Sequence, residues 1–335
     1  MTNISTLFKI ASINIGVFFC LLLGACGEEK PRRTADWKNE PSEIESKNND
    51  PVQTTNLVID DQSQGIRFLS YNLRNYLTMR RYEDSKVSER SKPEKEIEAL
   101  IKVMVEGKPD ILGVCEIGSK DDLKDLQKRL VAHGIDLPHT HHVRGYDRVR
   151  SQAILSKYPI KKHPKPERSS YLLEGKKFYI SRGILDTSIQ ISGKNIRFLG
   201  VHLKSKRSVQ EGDQEMMRRN EAYLLRRHID QIFKTDKRAK LLAFGDFNDT
   251  KRSRTIYNVQ GRTNSDTRLE ILNITDSRGE LWTHHWARED IYSRIDYCMV
   301  SQSLAPHINK EACKLLDPDY WALGSDHRAM LVIIR

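Results

Sequence analysis

The chain has 335 residues, 30% of them charged and 38% hydrophobic, a balance that excludes a wholly disordered polymer and a multi-span membrane protein. Its formal charge of +11 favours a polyanionic or phosphorylated partner, since net charge bears on association rather than on fold. No internal repeat or heptad run is apparent.

At the N-terminus Lys9 is the one charged side chain before an apolar run over 10–23, too short for a comfortable membrane span and right for the core of an export signal. Leu23-Gly24-Ala25-Cys26 resembles the bacterial lipobox, whose cysteine is acylated after cleavage; ordinary secretory cleavage near Ala25 is the competing reading. Several acyl chains on Cys26 would anchor the chain stably where one would not. Gly27 is not the aspartate that retains some lipoproteins at the inner membrane, so the resemblance implies the bacterial cell envelope, at the outer membrane. The polar stretch to residue 64, with Pro31, Pro41 and Pro51, reads as a disordered tether. The expected organisation is therefore a signal peptide over 1–25, a tether over 26–64 and one folded domain over 65–335. Beyond the export segment only Cys115, Cys298 and Cys313 remain, an odd set without CxxC spacing that argues against zinc and a disulfide framework, with a Cys298–Cys313 bridge as the one open pairing.

The body opens with an alternating strand over 66–72 that ends on Asn72, followed by Leu73 and Arg74. A charged loop is expected to about Lys92, then a helix opened by Pro93, with Ile97, Leu100, Ile101 and Met104 at helical spacing and Gly107 with Pro109 closing it. A buried strand over 110–116 ends on Glu116, and strand, helix, strand in this order predicts a layered α/β arrangement. A helix over about 121–132 follows. His139-Thr140-His141-His142 matches no zinc template and reads as a loop. Strands over 171–173 and 178–191, separated by a Glu174-Gly175 turn and without intervening helices, predict antiparallel pairing.

A strand over 196–202 ends on His202 and runs into a basic loop with Lys204, Lys206 and Arg207. After a long helix over 211–233 comes the apolar stretch 241–249, which breaks off in Gly245, Asp246 and Asn248, where polar groups emerge as the strand leaves the core. Carboxyl ends of strands in open α/β sheets are where ligands sit. A strand over 293–300 carries a buried-looking Asp296, and Gly324-Ser325-Asp326-His327 precedes a terminal apolar strand.

Asn72, Glu116, His202, Asp246 with Asn248, Asp296 and the Asp326-His327 pair, in this order, resemble the motif set of the endonuclease/exonuclease/phosphatase superfamily, the DNase I-like fold. Gly-Asp-Phe-Asn, Arg-Ile-Asp-Tyr and Gly-Ser-Asp-His together carry the likeness. It implies an α/β (α+β) four-layer sandwich, two mixed sheets with helices outside, and a metal-dependent phosphodiesterase. By the same resemblance Glu116 is the principal ligand of Mg²⁺, with Mn²⁺ and Ca²⁺ as alternatives, and Asn72 and Asp326 stand beside it; carboxylate oxygens suit such hard cations. Asp246 and Asn248 orient nucleophile and phosphate, Asp296 fixes the tautomer of His327 as general base, and His202 stabilises the phosphate or protonates the leaving oxygen.

In DNase I itself the acid histidine has a glutamate partner; here Asp147 is the candidate. Asn72-Leu73-Arg74 is more similar to the Asn-x-Arg of secreted DNases than to the pattern of abasic-site repair enzymes. Arg74, Lys204, Lys206 and Arg207 are the expected substrate-binding residues, tracking a nucleic-acid backbone. Two other readings stand beside the nuclease: a lipid or small-molecule phosphodiesterase or phosphatase of the same fold, and a non-catalytic binding lipoprotein. No long apolar hairpin is apparent for bilayer contact, although Leu281-Trp282, Trp286 and Tyr320-Trp321 are candidates. The expected partners are a phosphodiester substrate and, through the anchor, a membrane; no protein partner is expected.

Overall fold

Alternation of apolar side chains along the central strands decides the architecture. In Ile66–Tyr76 the side chains of Leu69, Tyr71 and Leu73 join one apolar cluster and that of Phe68 another; in Lys240–Asp246, Leu241 and Ala243 part from Leu242 and Phe244 in the same way. Strands with apolar groups on both faces need cover on both faces. The computed structural model describes residues 65–83 and 86–335; the expected export segment, Cys26 and the tether lie outside them.

Two six-stranded mixed sheets result. Sheet I runs Lys314–Leu315, Met330–Ile334, Ile66–Tyr76, Ile111–Ile117, Ser151–Ser156, His139–Arg144; sheet II runs Glu270–Ile271, Asp296–Val300, Lys240–Asp246, Lys194–His202, Ile184–Ile191, Ile160–Lys162. Ile66–Tyr76 pairs in parallel with Ile111–Ile117, as Lys194–His202 does with Lys240–Asp246. Helices Glu94–Gly107 and Lys120–Ala132 bury Leu100, Met104, Leu126 and Leu130 against the outer face of sheet I. Helices Gln214–Thr235 and Arg254–Gln260 do the same on sheet II with Leu225, Ile229 and Ile256. The third cluster lies between the sheets, so the order of layers is the expected α/β/β/α. Each such fully buried Leu, Ile or Phe stabilises the fold by roughly 1.5–3 kcal/mol.

The spacing of the sheets is set by one ring. Phe244 packs edge-on to Phe68, with centroids 4.9 Å apart, and fills the space left by two glycines. A Cβ at Gly113 on sheet I would stand 2.2 Å from that ring, and one at Gly200 would stand 3.0 Å from it. A side chain at Gly113 would force the ring or the facing sheet to move, whereas one at Gly200, the register partner of Phe244 on the same sheet, would need the ring to give by a few tenths of an ångström.

Several local expectations are corrected. The charged segment before Lys92 contains a hairpin, Met79–Glu83 with Lys86–Arg90. The histidine cluster is the edge strand of sheet I, His139–Arg144, rather than a loop: it completes the ladder on Ser151–Ser156, and His141 and His142 are engaged by Thr187 Oγ1 and the Gly118 carbonyl. The strand expected over 178–191 breaks at 180–183, where Gly183 takes a positive φ of 76°. Cys115, Cys298 and Cys313 are buried free thiols, so the open disulfide pairing is not formed.

One buried ion pair locks the C-terminal segment. Arg328 Nη1 lies 2.7 Å from Asp276 Oδ2, both side chains are fully buried, and the guanidinium lies over the Trp282 ring. Burial alone would raise the Asp276 pKa, but Arg328 and the backbone N–H groups of Glu280 and Arg278 outweigh it and hold it at about 2. A depressed carboxylate pKa contributes stability above its unfolded value and loses it as the pH falls through the folded one. Asp276→Asn is therefore expected to cost roughly 3–5 kcal/mol in urea denaturation at pH 7, and to flatten the stability loss of the wild type between about pH 4 and 2. Equal acid dependence in both proteins would contradict this account.

Candidate active site

Period-two alternation also aims the polar strand ends. Phe68, Leu242, Cys298 and Phe198 face the inter-sheet core, so Asn72, Asp246, Asp296 and His202, an even number of residues along the same strands, end on the same inner side. Glu116 is out of phase with this pattern. It follows Cys115, which already points inward with its thiol 3.3 Å from the Val201 carbonyl, and it reaches the site through a left-handed backbone (φ 61°) and a register shift between Cys115 and Ile117. Such strain in a non-glycine residue costs on the order of 1–3 kcal/mol and persists where the surroundings over-determine it.

The close polar contacts then cross from sheet to sheet. Asp296 Oδ2, on sheet II, lies 2.7 Å from Nδ1 of His327, on the segment entering the last strand of sheet I. Asn72 Nδ2 donates to Asp246 Oδ2 at 3.2 Å and lies 3.4 Å from His327 Nε2. His202 Nε2 stands 3.7 Å from Asp246 and 3.9 Å from Glu116. Thr283, unmarked in the sequence reading, donates its hydroxyl to Asp296 Oδ2 at 2.7 Å and accepts from the Asp296 and Ile295 N–H groups. Ser325 Oγ donates to the Asn72 carbonyl and accepts from His327 N–H, which pins the Asp326-His327 turn.

The remaining expected residues lie around this seam. Asp326 sits at the exposed rim, 3.9 Å from each of Arg74, His284 and His327. Asn248 donates its N–H to Asp246 Oδ1, but its side-chain amide turns to the Leu203 carbonyl, so it braces the loop. Lys204 is half-buried and its N–H is held by Glu221; Lys206 pairs with Asp249 at 3.5 Å; Arg207 is exposed. Asp147 is not the partner of His202. It lies 3.3 Å from Arg182 Nε, while the buried Nδ1 of His202 has no hydrogen-bond partner among the described residues. Arg150, which the sequence reading passed over, stands 3.7 Å from Glu116; its position at the start of a site strand was the available signal.

Electrostatics divide the two histidines. Burial holds the His202 pKa well below the usual imidazole range, and Arg182 and His327 lower it further. For His327 burial works in the same direction, but Asp296, Asp246 and Asp326 outweigh it and raise the pKa to about 10. Burial and the neighbouring Asp296 push Asp246 well above the ordinary carboxylate range. Asp246, Asp296 and His327 bring ligand atoms within 4.8 Å of one another, as do His284, Asp326 and His327; Glu116 is in neither trio and joins through His202. Clustered carboxylates, two of them buried, offer the oxygen donors that a hard divalent cation takes.

The Endonuclease/Exonuclease/phosphatase family model matches residues 69–327. The chain belongs to that family and is a phosphoester hydrolase of its fold. Among solved structures it is similar to an endonuclease/exonuclease/phosphatase family protein from Leptotrichia buccalis, at 15% identity and TM-score 0.55 over 81% of this chain and 99% of the other. Sphingomyelinase C from Streptomyces griseocarneus matches at 13% identity and TM-score 0.51 over 81% and 99%. A beta toxin variant from Staphylococcus aureus, solved with bound magnesium ions, matches at 15% and 0.52 over 81% and 100%. No curated protein matches the sequence.

The Asp296–His327 contact is testable without substrate. In the metal-free protein the His327 ring signals are expected to titrate near pH 10 by NMR, and Asp296→Asn should lower that midpoint by about one to three pH units. An unmoved midpoint would remove Asp296 as the group that sets the basicity of His327.

Proposed function

We propose that this chain is an exported, Mg²⁺-dependent phosphodiesterase that cleaves nucleic acid. The observation that carries the nuclease reading is a row of cations across the strand ends of sheet I. Arg74 lies near the C-terminal end of the Ile66–Tyr76 strand beside Asp326, Arg150 precedes Ser151–Ser156 beside Glu116, and Arg144 ends the edge strand. At about 4.8 Å per strand this row spans roughly 14 Å, more than a single phosphate needs and suited to a polyanion.

Glu116, Asn72 and Asp326 would hold the cation, with Asp246 beside them; when bound, it neutralises charge on the phosphoryl oxygens. Asp296 accepts the Nδ1 hydrogen of His327, and Nε2 would take the proton of the attacking water once a bound cation offsets the carboxylates that otherwise keep His327 protonated at neutral pH. Asp246 and Asn72 fix that water from the other side. Of the two roles open to His202, a hydrogen bond to a phosphate oxygen fits its neutral state better than proton delivery.

Glu116→Gln and His327→Ala should each lower cleavage of plasmid DNA or RNA by about 10²–10⁴-fold. EDTA should abolish it, and rising salt should weaken it steeply. Release of headgroups from sphingomyelin vesicles with nucleic acid left intact would sink the nuclease reading and favour the second one. That reading has its own observation: a short hairpin, His284–Trp286 with Ile291–Ser293, exposes Trp286, Ile291 and Tyr292, while His285 N–H donates to the Asp326 carbonyl. The hairpin is short, and it carries Trp286, one of the residues expected for bilayer contact. Amphipathic aromatic side chains of this kind suit a membrane interface.

Export and acylation at Cys26 complete the proposal and rest on the sequence alone. Cys26→Ala should move the protein from the membrane to the soluble fraction and end incorporation of labelled palmitate; unchanged membrane retention would count against the anchor.

A further inference from the structure

We propose that Tyr146 and Tyr179 form a base-stacking subsite for a single-stranded stretch of nucleic acid, at the edge of sheet I away from Asp326. The inference deepens the nuclease reading and rests on it. The two rings are stacked, with centroids 5.3 Å apart and planes 13° from parallel, yet Tyr146 is 72% exposed and Tyr179 41%. They stand on two segments that the backbone binds together. Tyr146 N–H donates to the Ile180 carbonyl and Asp147 N–H to that of Ser181, and Gly145 and Gly183 meet so closely that a Cβ at Gly145 would stand 2.3 Å from the Gly183 nitrogen. The open face of Tyr146 is thus presented by a braced loop rather than a free tip.

A concavity of about 220 Å³ adjoins the rings, lined by Arg144 and Lys165 and by no carboxylate. It is smaller than the roughly 300 Å³ at which drug-sized ligand pockets begin, so it suits one ring of a longer ligand. Lys177 Nζ lies 5.4 Å from the centre of the Tyr179 ring. Aromatic faces beside cations fit unpaired bases on an anionic backbone. The same cations repel a quaternary ammonium headgroup, which aromatic cages otherwise attract. A duplex keeps its bases stacked on one another and offers the rings nothing.

The subsite is joined to the chemistry. Asp147, next to Tyr146, is held by Arg182, and Arg150 in the same loop reaches to 3.7 Å from Glu116. The edge strand His139–Arg144 lies two strands from Ile111–Ile117, about 10 Å across the sheet. A strand bound with its scissile phosphate at Glu116 would bring a flanking base onto Tyr146.

The test compares the wild type with Tyr146→Ala, Tyr179→Ala and Tyr146→Phe. Binding of a fluorescein-labelled oligothymidylate is measured by anisotropy in EDTA, and cleavage of the same strand and of bis(p-nitrophenyl) phosphate is measured in Mg²⁺. Loss of the Tyr146 ring should weaken strand binding by roughly tenfold and raise KM on the strand more than on the small diester, which is too short to reach the rings. Tyr146→Phe, which keeps the ring, should restore both. Equal losses on the two substrates, unaltered strand binding, or Tyr146-dependent binding of sphingomyelin vesicles in place of the oligonucleotide would overturn the subsite. Strand binding that needs Tyr146 without strand cleavage would leave the subsite and end the nuclease reading; cleavage indifferent to Tyr146 would do the reverse.

Discussion

The site exists only because two sheets are held face to face at a fixed separation. Asp296 with His327, Asn72 with Asp246, and His202 with Glu116 each join one sheet to the other, so no half of the chain contains a working constellation. The groups are also mostly buried, and buried charges are tolerated only when they are paired or neutralised. Core packing and site chemistry therefore constrain each other. The apolar layer positions the strand ends, and the polar seam closes the mouth of that layer.

Within the seam, charge is shared unevenly. Three carboxylates raise the pKa of His327, whereas burial first and Arg182 next lower that of His202, so the two imidazoles sit at opposite ends of the basicity scale. Environment rather than residue type assigns their roles. Thr283 and Ser325 hold this arrangement in place, the first by a hydrogen bond to the Asp296 carboxylate and the second by bonds to the backbone of Asn72 and His327. Arg328 extends this outward: its N–H and guanidinium hold the Thr283 and Trp282 carbonyls, which carries the rigidity of a buried ion pair to the threonine beside Asp296.

A layered α/β arrangement was legible in the order strand, helix, strand, and the four-layer order came with the family resemblance; a buried apolar run that stops on Asn, Asp, Glu or His announces a strand end. Asn72, His202, Asp246 and Asp296 were readable in this way. What was not readable depended on contacts between distant segments. His139–Arg144 lacks an apolar pattern, and only its neighbour makes it a strand. Glu116 was readable as a strand end, but the left-handed backbone and register shift that turn it into the site were not. The partner sought for His202 failed for a similar reason: Asp147 has the right chemistry, but Arg182 and Arg150 compete for it at closer range. The exposed hairpin around Trp286 was hidden because its strands are three residues long.

Phe244 in its slot between Gly113 and Gly200 makes the catalytic geometry a gauge of the hydrophobic interior. The ring has no slack toward sheet I, and the polar contacts above it span from 2.7 to 3.9 Å, a range in which a few tenths of an ångström separates a bond from a gap. Small displacements of the two layers, too slight to register as unfolding, would be read out first at His327 and Asp246. In this architecture tolerance to change in the buried interior is narrower for turnover than for folding, and sequence variation far from the mouth of the sandwich carries functional weight.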